Sequence, residues 1–156
     1  MDCVIRKACI SDAEFIYKIL YEFSEKRILL PRSYNQIYEN IRDFFICETM
    51  EKVKAGCAAL HIFWKDLAEI RSLAVKEEYQ RRGYGKKLVL SCLNEALMLG
   101  INRVFALTYQ VEFFESLNFK QIPKETLPQK IWADCLNCVK YPECDEVSLI
   151  WEKSAK

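Results

Sequence analysis

Glycine and proline are scarce, four of each, and histidine occurs once. With so few chain-turning residues, no internal repeat and no Ser- or Pro-rich stretch, nothing divides the chain into joined halves. Residues 1–156 therefore read as a single domain. An excess of charge is missing as well: 23 Lys and Arg stand against 22 Asp and Glu, a net charge of +1. That balance excludes the whole-surface basic footprint of a nucleic-acid coat or a polybasic membrane binder, so any anion site has to be local. No run reaches the roughly 18 uncharged apolar residues of a membrane span. The start, Met1 to Lys7, carries an early acid instead of an apolar leader. The expectation is a soluble, cytoplasmic protein with no nucleic-acid or membrane partner. Disorder is excluded by what is abundant, 51% hydrophobic and 13% aromatic residues, enough for a real core.

Cysteine is plentiful at eight. Without a leader peptide, a reducing compartment and free thiols are the better reading than a disulfide framework. Cys3, Cys9, Cys47, Cys57 and Cys92 stand among apolar residues, where cysteine acts as a small hydrophobe. Cys135-x-x-Cys138 with Cys144 opens like a zinc site but lacks the second pair or histidine that a four-ligand site wants. A packed thiol cluster is the competing reading, and the expectation is no metal.

Cys3 to Ala8 alternates like a strand. Ser11 with Glu14 reads as a capping box opening a helix through Phe15, Ile16, Ile19, Leu20 and Phe23, and Ser33 with Gln36 repeats the pattern before Ile37 and Ile41. From Phe44 the period changes. Phe44–Glu48, Ala55–Trp64 and Ala68–Val75 are β-branched and aromatic, split by short charged turns, and predict an antiparallel meander. A basic, glycine-containing loop, Lys76–Gly85, feeds a helix with Leu88, Val89, Cys92, Leu93, Ala96 and Leu97 on one side and Gly100 at its stop. Arg103–Thr108 is a strand, Glu112–Ser116 a short helix ending near Asn118, and Glu146–Trp151 a closing strand. The class is α+β.

The loop Gln80-Arg81-Arg82-Gly83-Tyr84-Gly85-Lys86-Lys87 lies where a strand gives way to a helix. Helix N-termini offer unpaired N–H groups and a partial positive charge, glycines let backbone approach an anion, and clustered cations add potential. Phosphate is the natural guest. A solvated basic turn is the bland alternative.

Gln80-Arg81-Arg82-Gly83-Tyr84-Gly85 resembles the Q/R-x-x-G-x-G/A signature of the GCN5-related N-acetyltransferases (GNAT). It follows Ile70–Val75 and precedes a helix, as in that family, and Phe113–Phe119 is similar to the family's later helix and turn. The resemblance covers Cys3 to Trp151. It implies the GNAT fold: a mixed, mostly antiparallel central sheet of six to seven strands, flanked by helices and splayed at its central strands. It also implies that Gln80 to Lys86 hold the pyrophosphate of acetyl-CoA, that the backbone of Leu73, Ala74 and Val75 pairs with the pantetheine arm, and that Phe114, standing where the family often has a tyrosine as general acid, is a cofactor-binding residue. Leu29–Ser33, Glu69–Val75, Phe105–Thr108 and Leu127–Trp132 are similar to the transferase domain of the N-acetylglutamate synthases, especially the short stand-alone form. The acceptor this implies is L-glutamate, in the first step of arginine biosynthesis. Alternatives are glutamine, another small amine or a polyamine, or a CoA-binding module without turnover.

Direct attack by an amine needs a base, a near-attack position and a donor for the oxyanion, but no protein nucleophile. The oxyanion donor is expected in Leu73–Val75. Candidates for the base are Glu69 and His61, the latter equally a hydrogen-bonded packing residue. Tyr109 is the substitute acid, with an aromatic at a strand end as its plain alternative. Two substrate carboxylates call for cations, and Arg32, Arg71 and Lys130 are the candidates, against solvated or internally paired roles. Exposed aromatics in the tail suit contact with a second copy of the chain.

Overall fold

The computed structural model describes residues 3–127 and 146–154. In chain order the elements are β1 (Cys3–Lys7), α1 (Ala13–Glu25), α2 (Tyr34–Glu39), β2 (Phe44–Thr49), β3 (Lys54–Trp64), β4 (Leu67–Val75), α3 (Tyr84–Met98), β5 (Arg103–Thr108), α4 (Val111–Glu115), β6 (Lys120–Gln121) and β7 (Val147–Glu152). The strands form a seven-stranded sheet in the order β1-β2-β3-β4-β5-β7-β6. Ladders β1–β2, β2–β3, β5–β7 and β6–β7 are antiparallel and β4–β5 is parallel. This is the mixed, mostly antiparallel sheet that the family resemblance implies, within the α+β class that the pattern of elements predicts.

Chain contacts divide into two units, Met1–His61 with Ile70–Glu95, and Ile62–Glu69 with Ala96–Lys156. In the first, the apolar stripe of α1 buries Ile16, Ile19 and Leu20 together with Ile37 of α2. These residues close over Phe44 and Ile46 of β2, Cys57 and Ala59 of β3 and Ala74 of β4. Each isoleucine or leucine so buried is worth about 1.5–3 kcal/mol. α3 adds Leu88, Val89, Cys92 and Leu93, all buried. In the second unit, Leu67 and Phe105 form a core with Leu127, against which Phe63, Leu107, Ile122 and Ile150 pack. There β5 runs the full length of β7, from Arg103 opposite Glu152 to Thr108 opposite Val147.

Ser33 and Gln36 make the predicted capping box. The Gln36 N–H donates to Ser33 Oγ at 3.1 Å and the Ser33 N–H donates to Gln36 Oε1 at 2.9 Å. Ser11 and Glu14 do not. The chain first makes a turn of 3-10 helix at Ile10–Asp12, and α1 starts only at Ala13. Asp12 takes over, accepting from the Cys9 N–H at 2.7 Å, while Glu14 pairs along the helix with Lys18 at 2.9 Å. The cause is tertiary: Arg6 and Lys54 each reach Asp12 at 2.8 Å and fix it as the residue directly before the helix.

Leu97 also departs from expectation, 37% exposed because it falls outside the buried stripe of α3. Cys9 is exposed, not packed in the core, since it sits on the turn leading into α1. Asn118 takes the left-handed conformation expected of it, with φ +71°. Strand β6, two exposed residues long, had no apolar alternation to announce it. No helix among the described residues is long and apolar enough to cross a membrane.

Candidate functional site

The first unit contains the whole segment from the end of β4 to the start of α3. Ser72 in β4 has φ +57°, outside the extended region, and is buried. After β4 a 3-10 turn at Glu77–Tyr79 leads to Gln80, whose side-chain amide donates to the Val75 carbonyl at 2.9 Å. That bond ties the loop back to the strand end it follows. Arg81 and Gly83 both adopt left-handed conformations, φ +66° and +84°. The first helical bond of α3 then runs from the Lys87 N–H to the Gly83 carbonyl at 3.1 Å. N–H groups ahead of Lys87 have no carbonyl four residues back within the helix, the general condition of a helix start.

Three cationic side chains, Arg81, Arg82 and Lys86, are exposed around this turn, and among the described residues none is paired with a carboxylate. The Arg82 guanidinium lies over the Tyr79 ring at 5.3 Å, and Tyr79 in turn stacks on Tyr84 at 6.2 Å. Tyr84 is 1% exposed, so its ring anchors the loop. Tyr79 was not foreseen as part of the site, although an aromatic two residues before paired arginines is a stacking signal. A Cβ built at Gly83 would meet no atom within 4 Å. The turn is thus open, left-handed, rich in backbone donors and ringed by unneutralised cations, which fits the pyrophosphate of a nucleotide carrier.

The remaining candidates divide between the units. In the first, Arg32 is half-buried directly before the Ser33 cap, and Arg71 is half-buried one residue ahead of the left-handed Ser72. His61 Nδ1 lies 2.7 Å from Asp43, the hydrogen-bonded arrangement anticipated as one of its two readings. In the second unit Glu69 is 8% exposed and stands opposite Phe105 in the parallel ladder. Tyr109 is 38% exposed just past β5. Phe114 is 3% exposed and packs edge-on against Phe113 and Phe119, with ring centroids 5.1 and 5.0 Å away. Lys130 and the cluster Cys135, Cys138 and Cys144 lie outside the described residues. Among the described residues no three His, Cys, Asp or Glu side chains gather as metal ligands.

Charge elsewhere in the first unit is arranged differently. Asp12 is 1% exposed and receives Arg6, Lys54 and the Cys9 N–H. Burial alone would oppose its ionisation, but the hydrogen bonds from Arg6, Cys9 and Lys54 win and hold the carboxyl well below the usual carboxylate range.

A protein of Chlorobaculum tepidum described as an uncharacterized N-acetyltransferase is 42% identical over 149 residues, 96% of each chain. An amino-acid acetyltransferase of Mycobacterium tuberculosis is 37% identical over 126 residues, 78% of this chain and 71% of its own. Among solved structures, N-acetylglutamate synthase from Neisseria gonorrhoeae, complexed with coenzyme A and N-acetyl-glutamate, superposes with a TM-score of 0.88 at 30% identity, over 97% of this chain and 35% of that one. The model of the acetyltransferase (GNAT) family matches residues 13–119, and with that match the chain belongs to the GNAT family and is an acetyl-CoA-dependent N-acetyltransferase.

Proposed function

We propose that this chain acetylates the α-amine of L-glutamate, as an N-acetylglutamate synthase acting in the cytoplasm at the entry to arginine biosynthesis. The observation that carries the reading is the left-handed turn at Gly83 with Arg81, Arg82 and Lys86 around it, set directly after β4. Likeness to amino-acid acetyltransferases and to a synthase holding N-acetyl-glutamate supports the choice of acceptor. Acetyl-CoA, when bound, supplies an activated thioester whose carbonyl carbon accepts an amine.

The chain's own residues do the rest. Backbone N–H groups from Gly83 to Lys86 and the cations beside them hold the two phosphates. The backbone of Leu73–Val75 lines the carrier's arm and offers an N–H toward the carbonyl oxygen as negative charge grows there. Glu69, a carboxylate 8% exposed, takes the proton from the incoming ammonium, directly or through one water. Arg32 and Arg71 meet the two carboxylates of the acceptor, Lys130 completes the set, and Tyr109 returns a proton to the departing thiolate. No nucleophilic side chain is called for, because the amine attacks directly.

A different acceptor is the second reading: the Chlorobaculum relative, 42% identical, is described as an N-acetyltransferase without a stated acceptor. Free-thiol release measured across a panel of amino acids and polyamines separates the two. Turnover confined to glutamate, with its KM raised in Arg32→Ala and Arg71→Ala, is the expected result. Faster turnover on another amine, or an unaltered KM in both variants, overturns the glutamate assignment.

A further inference from the structure

β3 and β4 touch closely beside the loop that opens α3. The Cys57 thiol meets the Ser72 carbonyl at 3.4 Å, and the Lys76 N–H donates to the Ala55 carbonyl at 2.8 Å. Between these two contacts lies Leu73–Val75, and the left-handed Ser72, φ +57°, bends β4 directly ahead of it.

Two residues of β3 accommodate the bend. A Cβ on Gly56 would stand 2.7 Å from the Ala74 carbonyl oxygen and 3.2 Å from Val75 Cα, so the backbone of β4 occupies the space a side chain would need. The Ser72 carbonyl, turned by its positive φ, is buried and needs a donor. The Cys57 thiol supplies one at every working pH, since burial pushes its pKa up to about 12 and keeps the proton on sulfur.

We propose that Gly56 and Cys57 are positioning residues for acetyl-CoA. One by its missing side chain and the other by its thiol proton, they fix the bend of β4 that presents Leu73–Val75 to the carrier's arm. This rests on the reading of Leu73–Val75 given above. Neither residue touches the carrier; each acts through the backbone of β4.

The test is calorimetric titration with coenzyme A, paired with steady-state kinetics, on the parent chain and on Gly56→Ala, Cys57→Ala and Cys57→Ser. Gly56→Ala overpacks the contact with Ala74 and weakens coenzyme A binding about tenfold or more. Cys57→Ala removes the thiol's hydrogen bond to the Ser72 carbonyl and weakens coenzyme A binding about five- to tenfold, and Cys57→Ser, which restores a donor, recovers affinity to within about twofold of the parent. The KM for acetyl-CoA follows the binding constants while the KM for the acceptor stays put, a split that general destabilisation would not produce. If Gly56→Ala does not fold, the cysteine pair decides alone. Unchanged coenzyme A affinity in Cys57→Ala, or a serine no better than alanine, overturns the positioning role while leaving the function standing. A parent chain that takes up no coenzyme A overturns the functional reading itself.

Discussion

Two concentrations of charge lie in the same unit and are built to opposite ends. At Asp12, two cations converge on one buried acid, and Arg6 also reaches Glu48 at 3.3 Å, so the charges answer one another. Around Gly83, three exposed cations gather with no carboxylate paired to them among the described residues, and one is propped on an aromatic ring. The first cluster is neutralised within the fold; the second, on the reading proposed above, is left for a guest. Cation count alone separates them poorly; what distinguishes them is whether the chain supplies the counter-charge.

The sharpest way to break this contrast is to strip the second cluster. Replacing Arg81, Arg82 and Lys86 together by alanine is expected to weaken coenzyme A binding about a hundredfold in calorimetry. Thermal stability should fall by no more than about 1 kcal/mol, the worth of the exposed stacking of Arg82 on Tyr79. Asp12→Ala should do the reverse. Leaving Arg6 and Lys54 facing a vacated, buried position costs about 2 kcal/mol in denaturant unfolding, discounted because both cations are partly solvated. The KM for acetyl-CoA stays as it was.

Acid sharpens the contrast further. The folded-state pKa of Asp12 is depressed, so its contribution to stability is complete above the unfolded value of about 3.9 and drains away as pH falls from there toward the folded value. Unfolding midpoints of the parent chain should drop steeply below about pH 4, and the drop should be shallower in Asp12→Asn. The smallest effect is that of salt. Raising ionic strength from about 0.05 to 0.5 M should raise the KM for acetyl-CoA a few-fold through screening of the exposed cations, with little change in the unfolding free energy attributable to Asp12.

Features fixed by neighbours in the chain were open to inspection in the amino acids. Ser33 and Gln36 are three residues apart and complete their box without outside help; Arg103–Thr108 carries its strand in its own apolar residues. Where partners come from afar, local pattern misleads. Ser11 and Glu14 have the same spacing as Ser33 and Gln36, yet Arg6 from β1 and Lys54 from β3 decide the outcome at Asp12. The open left-handed turn at Gly83, with exposed cations around it, was legible because glycines and cations at fixed spacing are a chemical signal as well as a structural one. The bend in β4 was not, because serine at position 72 gives no warning of a left-handed backbone, and its cause lies on another strand.

Two glycines flank this chemistry under opposite constraints. At Gly56 the protein's own carbonyl fills the vacancy, so intolerance of larger residues is imposed from within and persists whether or not the enzyme is working. At Gly83 nothing in the protein stands in the way, and apart from the torsional cost of a positive φ, any exclusion of side chains comes from whatever docks there. A library randomised at both codons and sorted first for soluble expression, then for turnover, would deplete variants of the first in the opening round and of the second only in the next. The order of depletion would itself read out which glycine serves the architecture and which serves the visitor.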